Sequence, residues 1–401
     1  MAKGNIYGWT IVALCFAALS VAQSSRAALG LVMPLWEREF GWTRSFVSTV
    51  AATALLVVAC VAPVVGNAVD RLGPRRLLTI GLVATGLGVG ATSLVGEAWQ
   101  LLIAFSLVAA LGFGTVANHT VSTAIAQQFT QNRGLATGTA TAGSTAGQLL
   151  VVPLLALVIG TVGWRATFAV PALILLALAP VVWLAINRPH VATVRAGEGE
   201  PIGARLAFLA RSPVFHALFW SFTICGFTTS GVVEVHLIPY AVACGFPPLD
   251  GAAAYGVLSG FNMLGMIGAG WLSDRVNRPL LLGSIYIARG LTFLILLQIT
   301  DNPPLLFVFA VAFGIFDYST VPVTASLVAS HLGLRIMGLA MGLLSAGHAV
   351  GAAAGAFAAG RLYDLFARYD AVWFVALGLA LAAGLMCFTL RERRGVAAQP
   401  A

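Results

Sequence analysis

Long apolar runs, separated by short polar breaks, fill this chain from end to end. Twelve can be marked, at 8–36, 44–69, 76–95, 99–126, 134–160, 165–187, 213–243, 251–273, 279–299, 303–328, 336–361 and 370–390. Most reach the ~20 residues that cross a ~30 Å hydrocarbon core as a helix. In lipid only helices and closed barrels satisfy their own backbone. The runs are too long and too evenly apolar for barrel strands, whose outward faces alternate every second residue. The pattern predicts an all-α membrane protein of twelve transmembrane helices.

Composition agrees. The chain is 59% hydrophobic and 9% charged, against about 25% charged in soluble domains, and its mean hydropathy is +0.93. A net charge of +8 suggests nucleic acid in a soluble protein, but here it reads as positive loops on one membrane face. Cys15, Cys60, Cys225, Cys244 and Cys387 lie in or beside apolar runs without metal-ligand spacing, and read as small core residues. The first run is too long for a cleaved leader and lacks a cleavage pattern. Asn118-His119-Thr120 forms a glycosylation triplet, but inside an apolar run. No metal or cofactor is expected.

One connection is long. Residues 188–212 are polar and basic, and divide the chain into six-helix bundles at 1–187 and 213–401. With both termini inside, the inner loops and tails hold fifteen Lys and Arg residues. Only Arg38, Arg44, Arg165, Arg361 and Arg368 fall outside. That bias orients the chain with cytoplasmic termini.

A phrase is said twice. "GNAVDRLGPRR" at 66–76 returns as "GWLSDRVNRP" at 270–279. Gly66 to Gly270 and Asp70 to Asp274 are both 204 residues apart. The same offset carries Gly41 to Gly245, and Gly134, Gly138, Gly143 and Gly147 onto Gly338, Gly342, Gly347 and Gly351. The chain is two copies of a six-helix unit. Six is even, so the copies run parallel about an axis along the membrane normal. The phrase follows the second helix of each copy. Its glycine lies one turn before the aspartate, where a small residue lets a neighbouring helix approach. The aspartate can then accept from arginine or from a helix N-terminus across the seam. The alternative is plain topological anchoring. The glycine ladders of the fifth and eleventh helices read as close packing between the halves.

The doubled phrase, the span count and the central loop resemble the major facilitator superfamily over nearly the whole chain. "RGLATGTATAGSTAG", "VHLIPYAVACG" and "FGIFDYSTVPVTASLVASHLG" resemble its oxalate:formate antiporter and monocarboxylate porter branch. The resemblance implies a secondary transporter, not an enzyme, and a cytoplasmic latch of Asp70, Arg71, Asp274 and Arg275 that closes when the cavity faces outward.

Ionisable residues at depth cost at least ~2.5–3.5 kcal/mol and mark candidate function. Arg289 lies about 15 Å into the ninth span and Asp317 about 21 Å into the tenth from the other side, so they are expected to pair. The pair either supports the fold or couples protons. His348 lies about 18 Å into the eleventh span, on a helix that the resemblance makes cavity-lining. Arg26 and Glu234 sit in the outer halves of the first and seventh spans, and Arg26 with Glu234 or His236 is expected to form an outer gate or steering site. Asn118 and His119 lie toward the inner end of the fourth span as cavity polar groups, with Tyr318 beside Asp317.

The resemblance also fails at one place. Branch members carry an arginine on the eighth helix, preceded by an acid in the proton-coupled type. Here those positions are Asn262 and Met266. Either Arg26 and His348 hold a small organic anion, or the cargo is a larger amphipathic molecule. A small-molecule substrate, protons and lipid are the expected partners, with no nucleic acid. A monomer in a bacterial inner membrane is expected.

Overall fold

The structure, a computed structural model, describes residues 3–186, 200–299, 302 and 304–392. Among them eleven helices are long and apolar enough to cross a membrane. In chain order the helices are α1 (Lys3–Glu39), α2 (Arg44–Leu72), α3 (Pro74–Thr92), α4 (Ala98–Gln128), α5 (Arg133–Thr161), α6 (Trp164–Ala185), α7 (Pro213–Ala243), α8 (Pro248–Ser273), α9 (Arg278–Leu296), α10 (Leu305–His331), α11 (Met337–Phe366) and α12 (Asp370–Phe388). The twelfth member is α3, whose first turn holds the polar Arg75 and Arg76. It still packs as a spanning helix: a Cβ on Gly88 would come within 2.3 Å of the Ala109 nitrogen on α4.

Two departures from regular helix position the site. α4 and α10 are each broken in mid-span. In α10 the helix stops at Phe316 and restarts at Thr320. Pro322 has no N–H to give the carbonyl four residues back, so Tyr318 O accepts from Val321 N at 3.0 Å instead. In α4 the helix stops at Thr115 and restarts at Asn118. Stretches of α4, α5 and α7, at Leu102–Ala109, Gly147–Val151 and Phe227–Val233, wind as π-helix, a winding frequent near functional sites.

The repeated phrase joins the halves at the arginine-rich face. Asp70 accepts from Gly338 N at 2.7 Å and Leu339 N at 2.9 Å, the first turn of α11. Asp274 accepts from Gly134 N at 2.8 Å and Leu135 N at 2.9 Å, the first turn of α5. The 204-residue offset maps one cap onto the other, donor for donor. Each is a charge-assisted bond to unsatisfied helix-end N–H groups. The glycines make the reach possible. A Cβ on Gly66 would stand 2.1 Å from Gly338 O, and one on Gly270 2.3 Å from Gly134 O. Arg71 and Arg275, expected in the latch, turn away: Arg71 donates to Glu200 O at 3.3 Å, and Arg275 to Trp271 O at 2.9 Å. Helix N–H groups take one bond on each carboxylate oxygen, and the remaining arginine contact on Asp70 comes from Arg205 rather than Arg71.

The glycine ladders divide their work. Gly134, Gly138, Gly338 and Gly342 pack across the seam, on α8 and α2. Gly143 and Gly147 pack instead on Phe16 O and Ser20 O of α1, and Gly351 and Gly355 on Thr223 O and Phe227 O of α7, each within its own half. The upper rungs thus tie α5 and α11 to their own bundles. The ladder was expected to be wholly between the halves; only its lower part is.

Of the connection expected as a polar linker, residues 188–199 lie outside the described residues. The rest contains a helix, Ile202–Arg211. It buries Arg205 and Leu209 and exposes Ile202, Leu206 and Phe208. The buried Arg205 donates to Asp70 Oδ2, to Asn67 Oδ1 and, at 3.1 Å, to Arg335 O. The cysteines also divide: Cys15, Cys225 and Cys387 are buried, whereas Cys60 is exposed.

Two outcomes follow from this geometry. Leucine at Gly66 or Gly270 has no room without separating two backbones, so either variant opens the seam at the arginine-rich face. Spin labels replacing the exposed Arg76 and Arg335 read that as longer distances; unchanged distances contradict the close-packing account. Asp274→Asn keeps one acceptor but sets its amide against a helix-end donor. Bonds to charged groups contribute about 1.5–3 kcal/mol each, so the closed population falls at least about tenfold in the same measurement.

Candidate functional site

The break in α10 places its freed groups where charge can use them. Arg289 of α9 is fully buried. Its Nη1 donates to Cys225 Sγ at 3.0 Å, Thr229 Oγ1 at 3.2 Å and the main-chain oxygen of Asp317 at 3.4 Å; its Nη2 donates to Thr228 Oγ1 at 3.1 Å. The guanidinium carbon stands 4.9 Å from the Tyr286 ring centroid. Arg289 therefore meets Asp317 through the backbone. The expected side-chain ion pair is absent among the described residues, because the unwound turn offers its carbonyl first and the π-helical segment of α7 supplies hydroxyls. Asp317 and Arg289 still act on one another electrostatically.

The Asp317 carboxylate points into a second set of contacts. Its Oδ2 accepts from Asn262 Nδ2 at 3.0 Å, while its Oδ1 is buried without a hydrogen-bond partner. Asn262 turns its own oxygen to Tyr318 N at 3.2 Å. The Tyr318 hydroxyl donates to Glu234 Oε1 at 2.8 Å and lies 3.0 Å from Ser230 Oγ. Tyr318 thus belongs to two hydrogen-bonded groups across α7, α10 and α8, with Glu234 and Ser230 through its hydroxyl and with Asn262 and Asp317 through its backbone N–H. His348 of α11 joins their edge: its ring lies 5.1 Å from Phe222 and 6.3 Å from Tyr318 between centroids, against Cys225.

Arg26 stands on α1 in the other half, half-buried. Among the described residues it has no carboxylate within ion-pair distance, so the expected pairing with Glu234 or His236 is not formed. Glu234 is already engaged by Tyr318. His236 is held by Ala356 O at 3.1 Å and the Tyr369 hydroxyl at 3.3 Å, which ties α7 to α11 and to the Tyr369 turn before α12. Tyr255 of α8 lies within electrostatic reach of Arg26 on α1 and of Glu234 and Asp317 in the second half.

Asn118 and His119 open the second stretch of α4. They are not hydrogen-bonded to this cluster. Asn118 Oδ1, His119 Nε2, Thr120 Oγ1 and Ser122 Oγ are all buried without a partner, a concentration of unmet polar groups just past the break. Met266, the other position of the missing charge pair, faces the seam rather than the cluster, 3.7 Å from Thr145 Oγ1.

Sequence reasoning gathered Glu234, Asn262, Asp317, Tyr318 and Arg289, but missed Tyr255, Ser230, Thr228 and Thr229. Cys225, read as a core residue, is buried in the core and also accepts from Arg289. The available signal was the run of hydroxyls in "CGFTTSG" at 225–231, polar residues that must find partners in an apolar span.

Known proteins place the fold. The human organic anion transporter MFSD10 has a solved structure similar to this chain at a TM-score of 0.78 and 16% identity, over 96% of this chain and 100% of that one. The proton:xylose symporter XylE gives 0.71 and 15%, over 96% of each. At such identities these likenesses show the fold alone. Among curated relatives, the uncharacterized MFS-type transporter YcxA of Bacillus subtilis (strain 168) is 23% identical over 96% of each chain. Monocarboxylate transporter 13 of Rattus norvegicus is 24% identical over 96% of this chain and 89% of its own. Monocarboxylate transporter 11 of Homo sapiens is 27% identical over 86% and 75%. Residues 14–333 and 269–401 match the family description "Major Facilitator Superfamily", and with twelve helices in two parallel repeats the chain belongs to that superfamily of membrane transporters.

Proposed function

We propose that this transporter moves a small, monocarboxylate-like organic anion together with protons by alternating access. The carrying observation is the placement of opposite charges on the two halves. Among the described residues Arg26 of the first half has no carboxylate partner; it acts electrostatically on Tyr255, as do Glu234 and Asp317 of the second half, where Asp317 Oδ1 is buried and unpartnered. A carboxylate substrate supplies the partner that Arg26 lacks and bridges the seam there. Two carboxylates buried near one another are costly together, so a proton gained or lost at Glu234 or Asp317 is the cheapest way to change the site's charge as the halves move. Tyr318 stands between the two acids, bonding Glu234 through its hydroxyl and Asn262 through its backbone N–H, and His348 borders it. The relatives named monocarboxylate transporters support the substrate class.

In this reading the Asp70 and Asp274 caps hold the arginine-rich face shut, and that face is cytoplasmic, by the positive-inside bias. A bacterial inner membrane and a monomer complete the proposal. The missing acid–arginine pair at Asn262 and Met266 keeps a second reading, efflux of an amphipathic compound.

Uptake into proteoliposomes under an inward proton gradient separates the readings. Small carboxylates should accumulate saturably; movement of amphipathic compounds alone overturns the anion assignment. Arg26→Ala should cut carboxylate uptake at least ~10-fold, about 1.4 kcal/mol of binding, with monodispersity kept. Asp317→Asn, isosteric but unable to exchange a proton, should abolish gradient-driven accumulation while sparing substrate exchange at equal pH. Full accumulation in that variant places coupling elsewhere.

A further inference from the structure

A cavity of about 930 Å³ opens at the arginine-rich face, beneath the helix Ile202–Arg211 and beside the ends of α7, α10 and α12. Its rim carries Arg211, Arg391 and His331; Phe208, Leu332 and Leu390 give it apolar walls. Among the described residues neither arginine has a carboxylate within ion-pair distance. The nearby acid is already taken: Glu392 accepts from Arg278 N at 2.6 Å and from Arg278 Nε at 2.9 Å. Two uncompensated guanidinium groups over an apolar hollow, at the end of membrane-spanning helices, match the chemistry of an anionic lipid: phosphate for the arginines and acyl chain for the walls. The exposed Ile202, Leu206 and Phe208 of the same helix suit a segment that lies along the bilayer surface.

We propose that this cavity binds the phosphate headgroup of an anionic phospholipid, and that the bound lipid steadies the seam through the helix above it. That helix carries both ends of the connection. Arg211 lines the cavity. Arg205, six residues earlier, is buried between the halves on Asp70, Asn67 and the Arg335 carbonyl. A lipid that fixes Arg211 holds Arg205 on the Asp70 cap, so it favours the state closed at this face. Among the described residues no such helix covers the Asp274 cap, which lies exposed; the control is one-sided.

The test uses the full chain purified in detergent and needs no substrate. Phosphatidylglycerol in mixed micelles should raise the melting temperature by a few degrees over phosphatidylcholine, saturably, and native mass spectrometry should retain one anionic lipid. In Arg211→Gln/Arg391→Gln the lipid-dependent shift should vanish; the readout is the shift, so a lowered baseline does not obscure it. Arg211→Lys/Arg391→Lys should keep part of it. Arg38→Gln, at the opposite face, should keep all of it. The proposal is overturned if phosphatidylcholine stabilises equally, if the glutamine double variant responds fully, or if Arg38→Gln loses the shift equally, which is generalised charge attraction. An equal, saturable shift from inorganic phosphate alone assigns the cavity to a soluble anion and overturns the lipid.

Discussion

A carboxylate that caps a helix belonging to the other half is the interaction on which this molecule turns. Between two helices in a bilayer there is little hydrophobic drive, because lipid tails are as apolar as leucine. The seam must be held by close backbone contact and by polar bonds at its edge. Asp70 and Asp274 supply the bonds and the glycines facing them supply the approach, and neither works alone. A side chain at Gly338 would stand 2.3 Å from Gly66 O and 2.6 Å from the Asp70 carboxylate. Cap and contact are one device, which explains why glycine and aspartate travel together in the repeated phrase. The device is also reversible. The Asp274 cap lies exposed at the aqueous edge, where water can replace its bonds when the halves part, whereas the Asp70 carboxylate is buried under Arg205.

In mid-span water is not on offer, and the structure answers differently. Breaking α10 exposes backbone groups that in lipid cost several kcal/mol each. A buried guanidinium with five donors costs more still unless it is bonded. Each deficit meets the other: Arg289 takes the Asp317 carbonyl and three side-chain acceptors on α7. The consequence reaches the site. With Arg289 satisfied largely by neutral acceptors, the Asp317 carboxylate is left to Asn262 and keeps one oxygen free. A direct ion pair would have fixed that group in one state.

Span count, repeat and seam were legible in the sequence because each rests on a period. Apolar runs of membrane length, a 204-residue offset and glycines every fourth residue report on backbone geometry. The site was legible only as a set of buried charges. Their partners were not, because depth along a helix places a residue within a layer but not around the helix. Arg289 and Asp317 were matched in depth, yet the unwound turn intervened. Arg26 and Glu234 were matched in depth as well, yet Tyr318 had already taken the acid. Arg205 was hidden for another reason: its helix sits in a polar stretch, and its buried face is a charge with one leucine, Leu209, rather than an apolar stripe.

The repeat itself sorts structure from chemistry. Positions that hold the fold survive the 204-residue shift: Gly66 and Gly270, Asp70 and Asp274, Gly134 and Gly338. Positions of the charged cluster do not. Shifted back by 204, Glu234 falls on Gly30, Asn262 on Val58, Arg289 on Thr85, Asp317 on Phe113 and His348 on Ser144; shifted forward, Arg26 falls on Ser230. One half carries the acids and the other carries Arg26. A site with two identical walls would present the same charge twice. Divergence of the two copies therefore puts Arg26 in one half and the acids of the cluster in the other, while the caps that survive the shift join the halves at the arginine-rich face.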